Sequence, residues 1–294
     1  MAYTSLISAT ELQRLMQPQE PLERDCLVFD CSFDLGQPLL GRQQYLQTHI
    51  PGAIYAHLNA DLSAQRPPGA AGGRHPLPAK QTVAAWLTGV GMRHRTQAVV
   101  YDRNGANYCG RLWWMLKWLG HDDVAVLDGG LQAWQAAGGA TAQSTALALS
   151  SSAANPAFAV KPSKVALVTA EQILAHLGHP SQTIIDARGA PRFRGEIEPV
   201  DPVAGHIPGA LNRPFTANLG ADGKFKSPAV LRGEFEALLA GRSPASVVHH
   251  CGSGVSAVSN MLAMTIAGLG PTALYAGSWS DWCSRPDFAV ARSC

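Results

Sequence analysis

Short apolar runs rich in β-branched residues alternate along this chain with longer stretches whose apolar positions recur at helical spacing. CLVF (26–29), VVY (99–101), TII (183–185) and SVV (246–248) have the length and composition of buried strands. RLWWMLKWLG (111–120) and AVSNMLAMTIAGL (257–269) read as helices, and the tryptophans of the first, at positions 113, 114 and 118, read as core. Strands that are apolar throughout, separated by helices, predict parallel sheets covered on both faces.

The pattern occurs twice. CLVFDCS matches TIIDARG, THIPGAIYAHL matches GHIPGALNRPF, QAVVYDRNG matches SVVHHCGSG, and VLDGGLQAW matches LYAGSWSDW. The paired landmarks Asp30 and Asp186, His49 and His206, Asp102 and Cys251, and Trp134 and Trp282 keep their order and nearly constant spacing, as a tandem duplication requires. The expected fold is therefore α/β, with two tandem domains, each a parallel sheet flanked by helices. The first is expected over residues 1–142 and the second over 160–294. Residues 143–159, rich in Ala and Ser without a helical stripe, read as a linker. His49 and His206 precede a Pro-Gly turn in both copies, and their imidazoles are expected to tie that turn to neighbouring backbone.

Length agrees, since 294 residues suit two domains on a prior of roughly 150 residues each. With 46% apolar and 15% charged residues, both should fold around real cores. A formal charge of +2 and the lack of any long basic run argue against a nucleic-acid partner. The first residues lack the basic and apolar blocks of a secretory signal, and no run of ~18 apolar residues exists to cross a bilayer. A cytoplasmic protein without a membrane partner is expected. Six cysteines with no CxxC spacing signal neither a disulfide framework nor a zinc ribbon.

One cysteine stands apart. Cys251 follows an apolar strand and precedes Gly252, Ser253, Gly254, Val255 and Ser256, with a helix predicted to start at Val255 or Ser256. A glycine-bearing turn into a helix start points several backbone N–H groups inward and so cradles anions. A thiol at its centre is expected to ionise near neutrality and act as a nucleophile. The first copy has Asp102 there, and a carboxylate cannot take up sulfur. Cys109, seven residues on, reads as an inert core thiol. His249 and His250 point to opposite faces of a strand and cannot share a ligand, so no metal is expected.

The segment CGSGVSA after a strand, with IIDAR and GHIPGALN upstream and GSWSDW downstream, resembles the active-site half of the tandem rhodanese family, particularly its 3-mercaptopyruvate sulfurtransferase branch. The resemblance spans essentially the whole chain. It implies that the loop cysteine accepts sulfane sulfur as a persulfide and passes it to cyanide or a thiol, without a cofactor, and that the first domain is the inactive copy. In that family the arginine before an aromatic, here Arg192 before Phe193, contacts the anionic donor, with Arg194 as a second candidate. His75 resembles a histidine of the mercaptopyruvate branch that, with an acid (Asp61 is nearest), supports the loop serine, here Ser253. The branch also carries an arginine after Glu-Pro, where this chain has Val200 and Asp201, so Arg194 or Arg213 would have to replace it. The thiosulfate branch has basic residues after the cysteine, where this chain has Gly252 and Ser253. Trp279 or Trp282 is a candidate wall of the site.

Two other classes compete. Cysteine phosphatases use the same cradle but need an arginine six positions after the cysteine, and that position is Ala257. A non-catalytic anion-binding or sulfur-carrying module, the alternative reading, would be supported by loss of the nucleophile in both domains, and Cys251 remains.

Overall fold

The computed structural model describes residues 2–17, 25–65, 72–145 and 157–293. The chain forms two compact units, Met1–Ala64 with Pro78–Lys164, and Gln65–Leu77 with Val165–Cys294. The partition is not a single cut: Gln65–Leu77, from within the first repeat, belongs to the second unit, whereas Phe158–Lys164 stays with the first. Most of the 143–159 stretch lies outside the described residues.

The first unit contains β1 (Leu6–Ile7), β2 (Cys26–Asp30), β3 (Ile54–Tyr55), β4 (Gln97–Tyr101) and β5 (Val124–Leu127) in the order β1-β5-β4-β2-β3. The second contains β6 (Ala166–Leu167), β7 (Thr183–Asp186), β8 (Leu211–Asn212), β9 (Val247–His250) and β10 (Ala273–Leu274) in the order β6-β10-β9-β7-β8. Every strand pair is parallel, and the two orders are the same. The duplication seen in the sequence is thus a duplication of topology.

Period-two alternation explains why the strands of the second unit are apolar throughout. Ile184 and Val248 join Ile207, Tyr275, Trp279 and Trp282 on one face, while Ile185 and Val247 join Leu231, Phe235, Ala263 and Met264 on the other. Each such side chain, removed from water, contributes about 1.5–3 kcal/mol. The helix Ala257–Ile266 has no polar stripe because it is buried over most of its length. Its Asn260 satisfies its amide inside the core, donating to the Arg213 carbonyl at 2.9 Å and accepting from Asn218 at 2.6 Å.

Both HIPGA turns are fixed the same way. The His49 Nδ1 lies 2.7 Å from the Tyr45 carbonyl oxygen and the ring stacks on Tyr45; His206 repeats this with the Phe193 carbonyl, at 2.7 Å, and the Phe193 ring. These imidazoles are structural ties in each unit.

Candidate active site

Strand β9 delivers Cys251 to the carboxyl end of the second sheet, where parallel α/β sheets place their ligands. The helix begins at Ala257, leaving residues 251–256 as a tight loop one to two residues longer than the sequence suggests. Gly254 is required in it: its φ is +72°, and a Cβ there would fall 2.3 Å from the Ala276 carbonyl oxygen. Cys251 is buried, with its N–H donating to Ser278 Oγ at 3.1 Å and its carbonyl accepting the Trp279 N–H at 2.9 Å. The Gly252 carbonyl accepts the Ser280 N–H at 2.9 Å. Ser278 holds a left-handed φ of +56° while its hydroxyl also donates to the Tyr275 carbonyl at 2.9 Å. A serine in that region carries backbone strain, here in a residue that grips the cysteine's own amide.

The first unit shows what this loop does with an anion. Asp102 stands at the end of β4, and its carbonyl accepts the Leu131 N–H just as that of Cys251 accepts the Trp279 N–H. Its carboxylate accepts four backbone N–H groups: Asn104 at 2.9 Å and Ala106 at 3.0 Å on Oδ1, Tyr108 at 2.8 Å and Cys109 at 2.9 Å on Oδ2. The loop is a ring of inward peptide donors, closed on its own side chain. Burial, and then the Asp102 charge, push the Cys109 thiol far above its ordinary range, so it stays protonated.

In the second unit His75 Nδ1 lies 2.7 Å from Ser253 Oγ. The segment carrying His75 is fastened to the short helix Ser278–Trp282 that follows β10: the Gly72 N–H donates to Asp281 Oδ1 at 3.0 Å and the Arg74 N–H to Ser280 Oγ at 3.1 Å. Gly73 fits because a Cβ would fall 2.4 Å from the Gly277 carbonyl oxygen. Asp61 belongs to the first unit, where its carboxylate accepts the His57 N–H at 2.8 Å and burial raises its pKa.

The arginines separate clearly. Arg192 donates to Glu198 (Nη2 to Oε1 2.6 Å, Nε to Oε2 3.2 Å) and to Asp201 (Nη2 to Oδ2 3.1 Å), and its terminal nitrogens lie 3.6 and 3.7 Å from where a Cβ on Gly252 would stand. Arg74 pairs with the other Asp201 oxygen, and its Nη2 lies 3.0 Å from the same point. Burial works to raise Glu198, but the Arg192 bond and two backbone amides outweigh it and hold the carboxyl low. For Asp201 burial prevails over Arg74 and Arg192, and its pKa is raised. Arg194 pairs with Glu196 on the surface; Arg213 is committed to Asn218 and Glu234; Arg188 is buried against Asp186 and the Trp279 ring. Both candidate tryptophans are core residues whose indole N–H groups donate to the Val203 and Ala289 carbonyls. His249 and His250 are buried on opposite faces of β9, and among the described residues no three metal-ligating side chains converge.

The profile of the rhodanese-like domain matches residues 8–137 and again 169–285. The chain belongs to the rhodanese family. A Pseudomonas aeruginosa relative named "Probable 3-mercaptopyruvate sulfurtransferase" is 45% identical over 99% of both chains. The thiosulfate sulfurtransferase of Gallus gallus is 32% identical, covering 90% of this chain and 89% of its own. Among solved structures, the 3-mercaptopyruvate sulfurtransferase from Leishmania major superposes with a TM-score of 0.73 at 30% identity, covering 90% of this chain and 75% of that one. Within the family this rhodanese falls among the tandem-domain sulfurtransferases.

As a rhodanese, the protein sets Cys251, Ser253, His75, Arg192 and the loop glycines in one unit. Sequence reasoning missed Arg74, Asp201 and Ser278 as parts of the same constellation. Arg74 sits next to His75, so GGRHPLP was a usable signal; the departure noted at Val200 and Asp201 was another. Nothing in the sequence signals the strained backbone of Ser278.

Proposed function

We propose that this protein moves sulfane sulfur from 3-mercaptopyruvate, through a persulfide on Cys251, to a thiophilic acceptor such as cyanide or a thiol. The observation that carries this reading is the position of Cys251: it occupies the place where, in the first unit, a carboxylate collects four peptide N–H groups. A thiolate, and the anionic persulfide that follows it, call for the same donors. The first domain, with Asp102 in that place, has no sulfur chemistry of its own.

The Cys251 thiolate attacks the donor sulfur and forms the S–S bond as the carbon–sulfur bond breaks. The bonding pair leaves with the three-carbon fragment as the enolate of pyruvate, which needs one proton. Ser253, hydrogen-bonded to His75, supplies the route for that proton. The acceptor then attacks the outer sulfur: cyanide leaves as thiocyanate, a thiol as its persulfide, and the Cys251 thiolate returns. Such double displacement needs no organic cofactor and no metal.

Relatives named for thiosulfate keep that donor as the alternative substrate. No helix among the described residues is long and apolar enough to cross a membrane, which suits the cytoplasmic placement proposed here. The test is thiocyanate formation from cyanide with each donor, using the protein and Cys251→Ser. Turnover with 3-mercaptopyruvate that vanishes in the variant is expected; turnover retained by the variant sinks the persulfide route.

A further inference from the structure

The sulfur-bearing residue is followed by Gly252, and two guanidinium groups converge on the space a side chain there would fill. Arg74 Nη2 is 3.0 Å from that point, Arg192 Nη1 3.6 Å and Arg192 Nη2 3.7 Å. The two groups come from distant parts of the sequence and are held by a shared, buried carboxylate, since Asp201 takes Arg74 on one oxygen and Arg192 on the other. Glu198 fixes the Arg192 fork from the other side. These bonds leave Arg74 Nη2 and Arg192 Nη1, which face Gly252, with no protein acceptor among the described residues. Arg74 Nε is buried without a hydrogen-bond partner as well. Both side chains remain partly open, at 26% and 20% exposure.

We propose that Arg74 is a donor-specificity residue, forming with Arg192 a two-guanidinium clamp over Gly252 that takes the carboxylate of a 2-oxo-acid thiol. The proposal rests on the sulfurtransferase reading of Cys251 and adds the groups that choose its substrate. Asp201 and Glu198 cancel the two positive charges, so the clamp selects by aimed donors more than by net field. Each guanidinium offers one aimed terminal nitrogen, Arg74 Nη2 and Arg192 Nη1, so the two together can meet the two oxygens of a carboxylate. The distance from one Cα to the next, about 3.8 Å, is of the order of the sulfur-to-carboxylate reach of a three-carbon thiol acid. Thiosulfate, whose transferable sulfur is bonded directly to the sulfonate centre, cannot place sulfur at Cys251 and oxygens over Gly252 in the same way. The missing cation at Val200 is then made good by an arginine from the Gln65–Leu77 segment.

The test separates this claim from the one beneath it. Binding of 3-mercaptopyruvate is measured by calorimetry on Cys251→Ser, alone and combined with Arg74→Ala or Arg74→Lys, and steady-state KM and kcat are measured for both donors with the Arg74 variants. Loss of a charge-assisted bond predicts a roughly 10- to 100-fold weaker Kd and higher KM for 3-mercaptopyruvate, with kcat little changed. Lysine, which keeps the charge but not the fork, should restore only part. For thiosulfate kcat/KM should change less than about threefold. An unchanged Kd in both double variants, no measurable binding to Cys251→Ser, or equal losses for the two donors overturns the clamp. An inactive parent protein whose Cys251→Ser variant still binds in an Arg74-dependent way overturns the persulfide reading and leaves the clamp standing.

Discussion

His75 Nδ1 and Ser253 Oγ are 2.7 Å apart, although 178 residues separate them along the chain. In the proposed reaction this pair is the route for the proton that the enolate takes up. Removing either half, as His75→Ala or Ser253→Ala, should lower kcat for 3-mercaptopyruvate by about 100-fold, the low end of general acid–base effects. The double variant should be hardly worse, because the two act as one unit. Thiosulfate, whose leaving group is sulfite and needs no proton, should lose little. Similar losses with both donors would make the pair a scaffold.

Ser278 offers a case in which stability and rate part company. Its left-handed backbone costs of order 1–3 kcal/mol in a non-glycine residue, while losing its hydroxyl would leave the buried Cys251 N–H unpaired at a comparable cost of about 1–3 kcal/mol. In Ser278→Gly the two effects oppose each other. The melting temperature should stay within a few degrees of the parent while kcat falls, and Ser278→Ala, which keeps the strain, should be the less stable of the two. A Ser278→Gly enzyme with full kcat removes Ser278 from the positioning role.

Much of this was legible beforehand, and the rest was not, for physical reasons. Repeats and topology are written in local patterns, so β4 and β9 with their following loops could be paired directly from VVYDRNG and VVHHCGSG. His75 was a candidate only through the family resemblance. The pairing of Arg74 with Asp201, and the transfer of Gln65–Leu77 to the second unit, are tertiary events that no periodicity encodes. Arg194 stood as a second candidate because it lies two residues from Arg192 in the same run of arginines; the structure shows that a local bond to Glu196 occupies it.

Asp102→Ala should weaken the first unit. Four backbone donors lose their acceptor at once, and at about 1–3 kcal/mol for each group left buried and unpaired even partial relief by entering water leaves a loss of several kcal/mol. Asp102→Asn, keeping one carbonyl oxygen and turning an acceptor into a donor, should fall between. Hydrogen exchange at Asn104–Cys109 would report it, with the Cys251 reaction rate as the internal control. Unchanged protection in the alanine variant would show that the ring does not depend on the carboxylate.

The two glycines of the sulfur loop should respond differently to alanine. At Gly254 the new methyl meets backbone, the Ala276 oxygen at 2.3 Å and Cα at 2.8 Å, in a conformation L residues avoid, so Gly254→Ala should destabilise by ~2–4 kcal/mol and abolish turnover. At Gly252 it meets a side-chain tip and no backbone, the Arg74 Nη2 at 3.0 Å, so Gly252→Ala should fold normally and show its effect as a raised donor KM. Urea midpoints and KM values decide; equal destabilisation at both sites would contradict this contrast.

His249 makes the protein acid-sensitive. Burial pushes its ring down to about 3 from 6.5, and neither ring nitrogen has a hydrogen-bond partner among the described residues. An unfolded chain therefore takes up this proton first. Its contribution is complete above about pH 6.5 and is lost as pH falls toward 3, by up to about 1.4 kcal/mol per pH unit. His250, also held low by burial against the pull of Asp186, acts in the same direction. Urea midpoints between pH 7.5 and 4 should fall less steeply for His249→Leu than for the parent; parallel slopes would rule this residue out as the source.

The carboxylate of Asp102 also bears on how a doubled gene product can persist. A loop that surrounds a charged guest is a liability when empty, because its peptide dipoles repel one another. By carrying a tethered counterion of its own, the amino-terminal half satisfies its loop donors without any external anion. Folding of this half and occupation of its loop by an outside ligand are thereby made independent, and one side chain is enough to separate them.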